Sequence, residues 1–72
     1  MRIPIEGEFI ELGQLLKKLH FVSSGGQAKI FLEKNRVTVN GEREQRRGRK
    51  LRPGDVVRVE GFAEVLEIAG KE

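Results

Sequence analysis

The stretch Val-Thr-Val-Asn-Gly, residues 37 to 41, predicts a β-hairpin near the middle of this 72-residue chain. The pair Asn40-Gly41 suits a two-residue type I′ turn, because both central residues of that turn need a positive φ angle. Residues 37 to 39 form the strand that enters the turn. The return strand, Glu-Arg-Glu-Gln at residues 42 to 45, contains no apolar residue. We therefore expect it to be short, exposed and near an edge of the sheet.

Three more strands are predicted, one before this hairpin and two after it. Pro53-Gly54 fits the central positions of a type II turn, and the alternating residues 56 to 60 follow it as a strand. Residues 64 to 69 supply the last strand. Near the other end of the chain, residues 2 to 5 alternate polar and apolar side chains. Pro4 suits an edge strand there, because proline has no N–H to donate to a neighbour.

Two helices are predicted before the hairpin. Leucines recur at i, i+3, i+4 and i+7 from Leu12 to Leu19, which is the apolar stripe of an amphipathic helix. A second helix is expected from Gly25 to Lys34, and Asn35 can end it in the left-handed conformation. Since only five residues join the two helices, they should pack as neighbours. The sequence thus predicts an α+β domain, in which two packed helices lie against a small, twisted, mostly antiparallel β-sheet.

Size and composition exclude several classes of function. A chain of this length buries only about 60% of the surface that its unfolded form exposes, so a deep catalytic cavity is not expected. The sequence has no cysteine and one histidine, which excludes disulfides, thiolate metal sites and multi-histidine sites. His20 stands alone just past the first helix. We expect no enzyme activity, no cofactor and no metal, and, without an apolar run of membrane length, a cytoplasmic protein.

Positive charge is concentrated in the middle third of the chain. Residues 29 to 52 hold nine basic and three acidic residues, a net charge of +6, whereas the residues before them balance and those after them carry −3. Residues 43 to 52, called here the basic segment, contain six cations and one acid. Such crowding repels itself, so we interpret the basic segment as a surface for a polyanion rather than as a solvated loop.

The order of these elements resembles the S4-type RNA-binding domain. In that family a helix, a second helix that begins at a serine and carries basic residues, a V-x-V-N-G hairpin and a P-G-D turn follow one another. The corresponding residues here are Leu12, Leu15 and Leu16, then Ser24, Ala28 and Lys29, then residues 37 to 41, then residues 51 to 56. This resemblance predicts one S4-like domain over residues 1 to 72, with its motif core at 12 to 59 and a C-terminal strand at 64 to 69.

The resemblance is greatest to the small free-standing bacterial members of the family, and it implies a function. It implies a non-catalytic, monomeric RNA-binding protein that acts in ribosome assembly or translation, with ribosomal RNA ahead of transfer RNA as its target. A ribosomal subunit or its precursor is the implied assembly, and no membrane is involved. Lys29 matches a basic position of the family's second helix, whereas Gly25 stands where the family commonly has arginine.

Three alternatives stay open. The run V-x-V-N-G-E followed by L-x-x-G-D-x-V also resembles β-grasp sulfur carriers and ubiquitin-like proteins, although those end in Gly-Gly and this sequence ends in Gly-Lys-Glu. A protein adaptor could dock on the ribosome through the same basic face. Binding to DNA is the third alternative, because both polymers carry phosphates.

The candidate RNA-binding surface combines the start of the second helix with the cations that follow it. Bare glycine amides at a helix start allow a phosphate to approach the positive end of the helix dipole. The same glycines could instead only permit the bend between the helices, and the sequence leaves both interpretations open. The predicted residues are Ser24, Gly25, Gly26, Lys29, Arg36, Arg43, Arg46, Arg47, Arg49, Lys50 and Arg52.

The aromatic residues favour recognition of RNA shape and backbone. The chain has four phenylalanines and no tyrosine or tryptophan. Phe9, Phe21 and Phe31 are expected in the core, and Phe62 suits either the core or the surface. A stacking platform for single strands is therefore not predicted, and folded or double-stranded RNA fits better.

Overall fold

The structure, a computed structural model, describes residues 1 to 70. Residues 71 and 72, which the predicted domain includes, lie outside the described residues. The two helices are α1 (Leu12–Lys18) and α2 (Gly25–Lys34). The strands are β1 (Arg2–Pro4), β2 (Ile10–Glu11), β3 (Val37–Val39), β4 (Glu42–Arg43), β5 (Lys50–Leu51), β6 (Val56–Val59) and β7 (Leu66–Ala69).

Five of the strands form one sheet, in the order β1-β7-β6-β3-β4, and β2 and β5 form a separate two-stranded ribbon. The β1–β7 pair is parallel, whereas the other pairs among residues 1 to 70 are antiparallel. Pro4 lies in the edge strand β1, and the short polar strand β4 forms the opposite edge. The predicted α+β class, with a mostly antiparallel sheet, is confirmed.

Two turns hold the second half of the chain in place. Asn40 and Gly41 have φ angles of 51° and 88°, as the predicted type I′ turn requires. Gly54 has a φ of 99°, and the amide of Asp55 donates to the carbonyl of Arg52 at 2.9 Å, which fits the predicted type II turn. Asn40 joins the two turns: its Nδ2 donates to Asp55 Oδ1 at 3.0 Å, and its Oδ1 accepts from the amide of Val56 at 2.9 Å.

Asp55 is the acceptor at this junction. Burial by itself would raise the pKa of its carboxyl group. Hydrogen bonds from the amide of Arg52 and the side chain of Asn40, together with the charges of Arg49 and Arg52, outweigh burial and lower the pKa. The carboxylate therefore ties the end of the basic segment to the hairpin turn.

The helix ends differ from the prediction at one position. Asn35 caps α2 with extended backbone, at a φ of −120°, and its Nδ2 donates to the carbonyl of Phe31 at 3.0 Å. The prediction of a left-handed Asn35 was therefore wrong. The left-handed residue is His20 after α1, with a φ of 64°. There the amides of His20 and Phe21 donate to the carbonyls of Lys17 and Leu16, the Schellman arrangement that usually recruits glycine.

The core lies between the helices and the sheet. Leu19 and Phe31, both predicted to face the core, are only partly buried against it. The other predicted apolar positions of the two helices are fully buried, and so are central residues of the strands. Burying each such side chain stabilises the fold by about 1.5 to 3 kcal/mol. None of the helices within residues 1 to 70 is long and apolar enough to cross a membrane. The largest fully buried side chains are Leu12, Leu15, Leu16, Leu32, Val37, Leu51, Val57, Leu66 and Ile68.

Candidate nucleic-acid interface

The basic segment is bound to the start of α1 through its main chain. The amides of Leu12 and Gly13 each donate a 2.8 Å hydrogen bond, to the carbonyls of Arg49 and Arg47 respectively. These are amides of the first helical turn, which have no partner inside the helix. Leu51, at the end of the segment, is fully buried. The position of the segment is therefore fixed by backbone hydrogen bonds and a buried leucine, and its charged side chains can be directed outward.

Glu44 is buried, contrary to the expectation of an exposed return strand. Only 8% of its surface is accessible. Its Oε2 accepts from Arg46 Nε at 3.1 Å and from the amides of Gln45 and Arg46, while its Oε1 accepts from Arg46 Nη2 at 3.1 Å and Arg49 Nη1 at 3.0 Å. The one acid of the basic segment thus fixes two of its six cations.

These hydrogen bonds change the titration of the group. The Arg46 guanidinium holds the pKa of Glu44 down to about 2, with further help from Arg49, and this outweighs the opposing effect of burial. The pKa of Arg46 is raised in turn by the same pair. Arg46 still exposes 75% of its side chain, and Arg49 exposes 35%. Both cations are therefore held in a fixed position without being removed from solvent.

Arg47 connects the basic segment to the second helix. Its Nη1 donates to the main-chain carbonyl of Gly25 at 3.0 Å. Gly13 lets Arg47 also lie close to α1, because a Cβ at position 13 would be only 3.3 Å from both the Cβ and the carbonyl oxygen of Arg47. This close contact of Gly13 could not be predicted from the sequence. The contact closes one side of a groove of about 450 Å³, called here the helix-start groove, lined by Glu11, Gly13, Gln14, Lys17, Gly25, Arg47 and Gly48.

The start of α2 is capped as expected. Ser24 Oγ accepts from the amide of Gln27 at 3.3 Å, and the Gln27 side chain accepts from the amide and hydroxyl of Ser23. Both glycines have ordinary helical backbone, since the positive-φ glycines among residues 1 to 70 are Gly41, Gly54 and Gly61. Neither glycine is therefore needed for a left-handed turn between the helices.

The two glycines differ in their surroundings. A Cβ on Gly25 would meet Arg47 Nη1 at 3.4 Å, whereas a Cβ on Gly26 would meet nothing within 4 Å. Packing therefore gives no reason for glycine at position 26. Lys29 is exposed and lies one helical turn after Gly25, on the same face of the helix. Phosphate contact at the two glycines stays a prediction.

A family model described as S4 domain matches residues 3 to 68. This chain belongs to the S4 domain family. The match spans every residue of the candidate surface, and it favours the S4 resemblance over the β-grasp one. The chain is also similar to a protein of Bacillus subtilis (strain 168) described as "Probable ribosome maturation protein RlbA". The two are 55% identical over 60 residues, which cover 83% of this chain and 84% of that protein.

Six of the predicted cations of this S4 domain lie in three places. Arg46, Arg49, Lys50 and Arg52 line, with Gly48, a shallow groove of about 490 Å³, called here the ribbon groove. Arg43 is exposed on the edge strand β4, opposite Thr38. Arg36 lines a different groove with Arg58, Glu60 and Phe62, which no residue of the basic segment lines. The structure thus joins most of the predicted surface and places Arg36 apart.

One expectation about the aromatic residues, the burial of Phe9, was wrong. Phe21 and Phe31 pack against the core, with their ring centroids 5.7 Å apart. Phe9, predicted in the core, is 38% exposed. Lys50 Nζ lies 4.9 Å and Arg52 Cζ lies 5.9 Å from the centroid of its ring. The three residues before Phe9, Glu-Gly-Glu, were the signal in the sequence that this part of the chain lies at the surface.

Proposed function

We propose that this chain is a non-catalytic RNA-binding protein that acts in ribosome maturation and binds structured ribosomal RNA through its phosphate backbone. Membership of the S4 domain family supports RNA binding, and the similarity to the Bacillus subtilis protein described as a probable ribosome maturation protein supports a role in that process. The observation that carries the proposal is the anchoring of the basic segment to the starts of both helices, through the carbonyls of Arg47 and Arg49 and the guanidinium of Arg47.

The proposed mechanism is electrostatic. Cations of the ribbon groove, together with Lys29 and Arg47, pair with phosphates, and arginine does so with a planar fork that meets two phosphate oxygens at once. Phosphate contacts position a protein on RNA without specifying its sequence. The guanidinium groups of Arg46 and Arg49 are fixed by hydrogen bonds to Glu44. Less conformational entropy is therefore lost when these two side chains bind RNA. This arrangement suits an RNA of defined shape.

The salt dependence of binding to a ribosomal RNA hairpin tests the proposal. If about four to six phosphates are contacted, the logarithm of affinity should fall with the logarithm of salt concentration, with a slope of about −0.7 to −0.9 for each phosphate. The double variant Lys50→Gln/Arg52→Gln should reduce the steepness of that slope by about 1.4 to 1.8. Affinity that does not change with salt would overturn the proposal.

A matched pair of variants controls for total charge. Arg36→Gln/Arg58→Gln also removes two positive charges, but from the groove that Arg36 lines. This variant should leave the salt slope close to that of the unchanged protein. Crosslinking in cells, followed by sequencing of the bound nucleic acid, then identifies the target. Recovery of ribosomal RNA is the expected result, whereas recovery of transfer RNA or of DNA would contradict the proposed target.

A further inference from the structure

Phe9 lies on the outer face of the β2–β5 ribbon, beside the ribbon groove. Ile10 pairs with Leu51 and Glu11 with Lys50, so the continued register places Phe9 opposite Arg52. Leu51 is fully buried, and side chains alternate along a strand. Its neighbours Lys50 and Arg52 therefore share the outer face with Phe9.

A single exposed phenylalanine is ordinary in proteins, but the surroundings of this ring are not. Two cations lie within 6 Å of its centroid, and both also line the ribbon groove, together with Arg46 and Arg49. This partly exposed ring, with the two cations over it, thus borders a groove that four cations line. A positive groove next to an aromatic ring is the combination by which proteins hold unpaired nucleotides.

Phe62 shows why the surroundings matter. It is exposed to nearly the same extent, 37% against 38% for Phe9. Its ring, however, packs edge-on against Phe21, with centroids 5.1 Å apart and an interplanar angle of 86°. The groove that it lines also contains Glu60 and Glu64, whose charges repel phosphate. Phe62 is therefore a matched control of equal exposure.

We propose that Phe9, flanked by Lys50 and Arg52, is a stacking site for one unpaired RNA base. The base would lie against the ring in place of the Lys50 ammonium, which now lies over it. Lys50 and the other cations of the ribbon groove would then meet the adjacent phosphates. This inference rests on the proposed function and refines it: the target is a helical RNA with a bulged or looped nucleotide beside the backbone that the basic segment contacts. The ring recognises the π face that all bases share, so little preference among bases is expected.

The test uses the whole protein and three short RNA hairpins. One hairpin carries a single bulged uridine, the second carries an abasic nucleotide at the same place, and the third has no bulge. The abasic hairpin keeps the phosphate and sugar, so it isolates the base. Stacking on an aromatic side chain contributes about 1 to 3 kcal/mol per base, so the unchanged protein should bind the uridine hairpin about 5- to 150-fold more tightly than the abasic one.

Variants test whether the Phe9 ring causes this ratio of affinities for the uridine and abasic hairpins. Phe9→Leu keeps an apolar side chain and should bring the ratio close to one, whereas Phe9→Tyr keeps an aromatic ring and should preserve it. Phe62→Leu should leave the ratio unchanged. Since the comparison of the two hairpins needs only the unchanged protein, and Phe9→Tyr retains the ring, the test does not depend on the folding of Phe9→Leu.

Each outcome decides between the two proposals. Equal, salt-dependent affinity of the unchanged protein for the uridine and abasic hairpins would overturn the stacking site and leave the proposed function standing. A ratio that persists in Phe9→Leu would place the base elsewhere and also overturn the site. Failure to bind any of the three hairpins would overturn both proposals.

Discussion

Arg47 Nη1 donates a 3.0 Å hydrogen bond to the carbonyl oxygen of Gly25, 22 positions earlier in the chain. The main chain of Arg47 accepts, in addition, from the amide of Gly13 at 2.8 Å. One residue of the basic segment thus contacts the first turns of both helices. Its side chain acts structurally and, in the proposed function, electrostatically, and these two contributions can be separated by substitution.

Replacement of Arg47 by lysine and by glutamine separates them. Both variants lose the hydrogen bond from the guanidinium to Gly25, so each should lower the free energy of unfolding by about 1 kcal/mol. Lysine keeps the positive charge, so Arg47→Lys should keep the salt slope of RNA binding, whereas Arg47→Gln should reduce its steepness by about 0.7 to 0.9. Urea unfolding and binding at several salt concentrations measure the two quantities.

Arg43→Gln is the control for that pair. Arg43 is exposed at the edge of the sheet, so its replacement should change the free energy of unfolding by no more than about 0.5 kcal/mol. If Arg47→Lys were as stable as the unchanged protein, the hydrogen bond to Gly25 would have no structural importance.

Glu44→Gln should destabilise the fold. The glutamine amide nitrogen cannot accept a hydrogen bond, so it would face the donors of Arg46 and Arg49. Loss of a buried, charged acceptor typically lowers the free energy of unfolding by about 1 to 3 kcal/mol. Glu42→Gln, on the exposed neighbouring strand, is the matched control and should change it by about 0.5 kcal/mol at most. Equal stability of both variants would contradict the importance of the buried carboxylate.

The same carboxylate predicts how stability depends on pH. The pKa of Glu44 falls from an ordinary 4.5 to about 2 in the folded protein. A group with a lowered folded pKa stabilises the fold above its unfolded pKa, and this contribution is lost as pH falls through the folded value. Stability gained from Glu44 should therefore be complete above about pH 4.5 and decline toward pH 2.

Urea unfolding of the unchanged protein and Glu44→Gln, from pH 7 downward, measures this contribution. The difference in the free energy of unfolding between them should be constant near neutrality and shrink below about pH 4.5. Asp55, whose pKa is also lowered, acts in the same direction but is present in both proteins. A difference that stays constant down to pH 2.5 would show that the Glu44 carboxylate does not titrate as described.

Gly26→Ala should make the fold more stable and RNA binding weaker. The backbone at position 26 is helical and a Cβ there meets nothing within 4 Å. Alanine at such a position typically raises the free energy of unfolding by about 0.4 to 1 kcal/mol. The added methyl group would obstruct a phosphate that approaches the amides of the first turn, so RNA affinity should fall.

Gly41→Ala is a control in which the stability should fall rather than rise. Its φ of 88° is strained for alanine, so this variant should be less stable by about 1 to 2 kcal/mol without altering the start of α2. Unchanged RNA affinity in Gly26→Ala would mean that no phosphate lies close to the glycines.

The sequence alone determined the fold class, both helices and the five strands of the main sheet, but not the short β2–β5 ribbon. The leucine spacing of α1, the serine cap of α2 and the Asn40-Gly41 turn depend on residues close together in the chain, and all three were predicted. Local preferences of this kind are readable because backbone conformation and hydrogen bonding are decided within a few residues. The exception is the end of α1, where His20 takes the left-handed conformation that is usual for glycine.

The tertiary structure alone decided which charged side chains bond to other parts of the protein and which remain exposed. Composition showed six cations and one acid in the basic segment, but only the folded chain buries Glu44 between Arg46 and Arg49 and directs Arg47 to Gly25. It also places Arg36 in another groove and leaves Phe9 exposed beside Lys50 and Arg52. Each of these contacts depends on strand register and on burial, which long-range pairing sets and which local sequence does not specify.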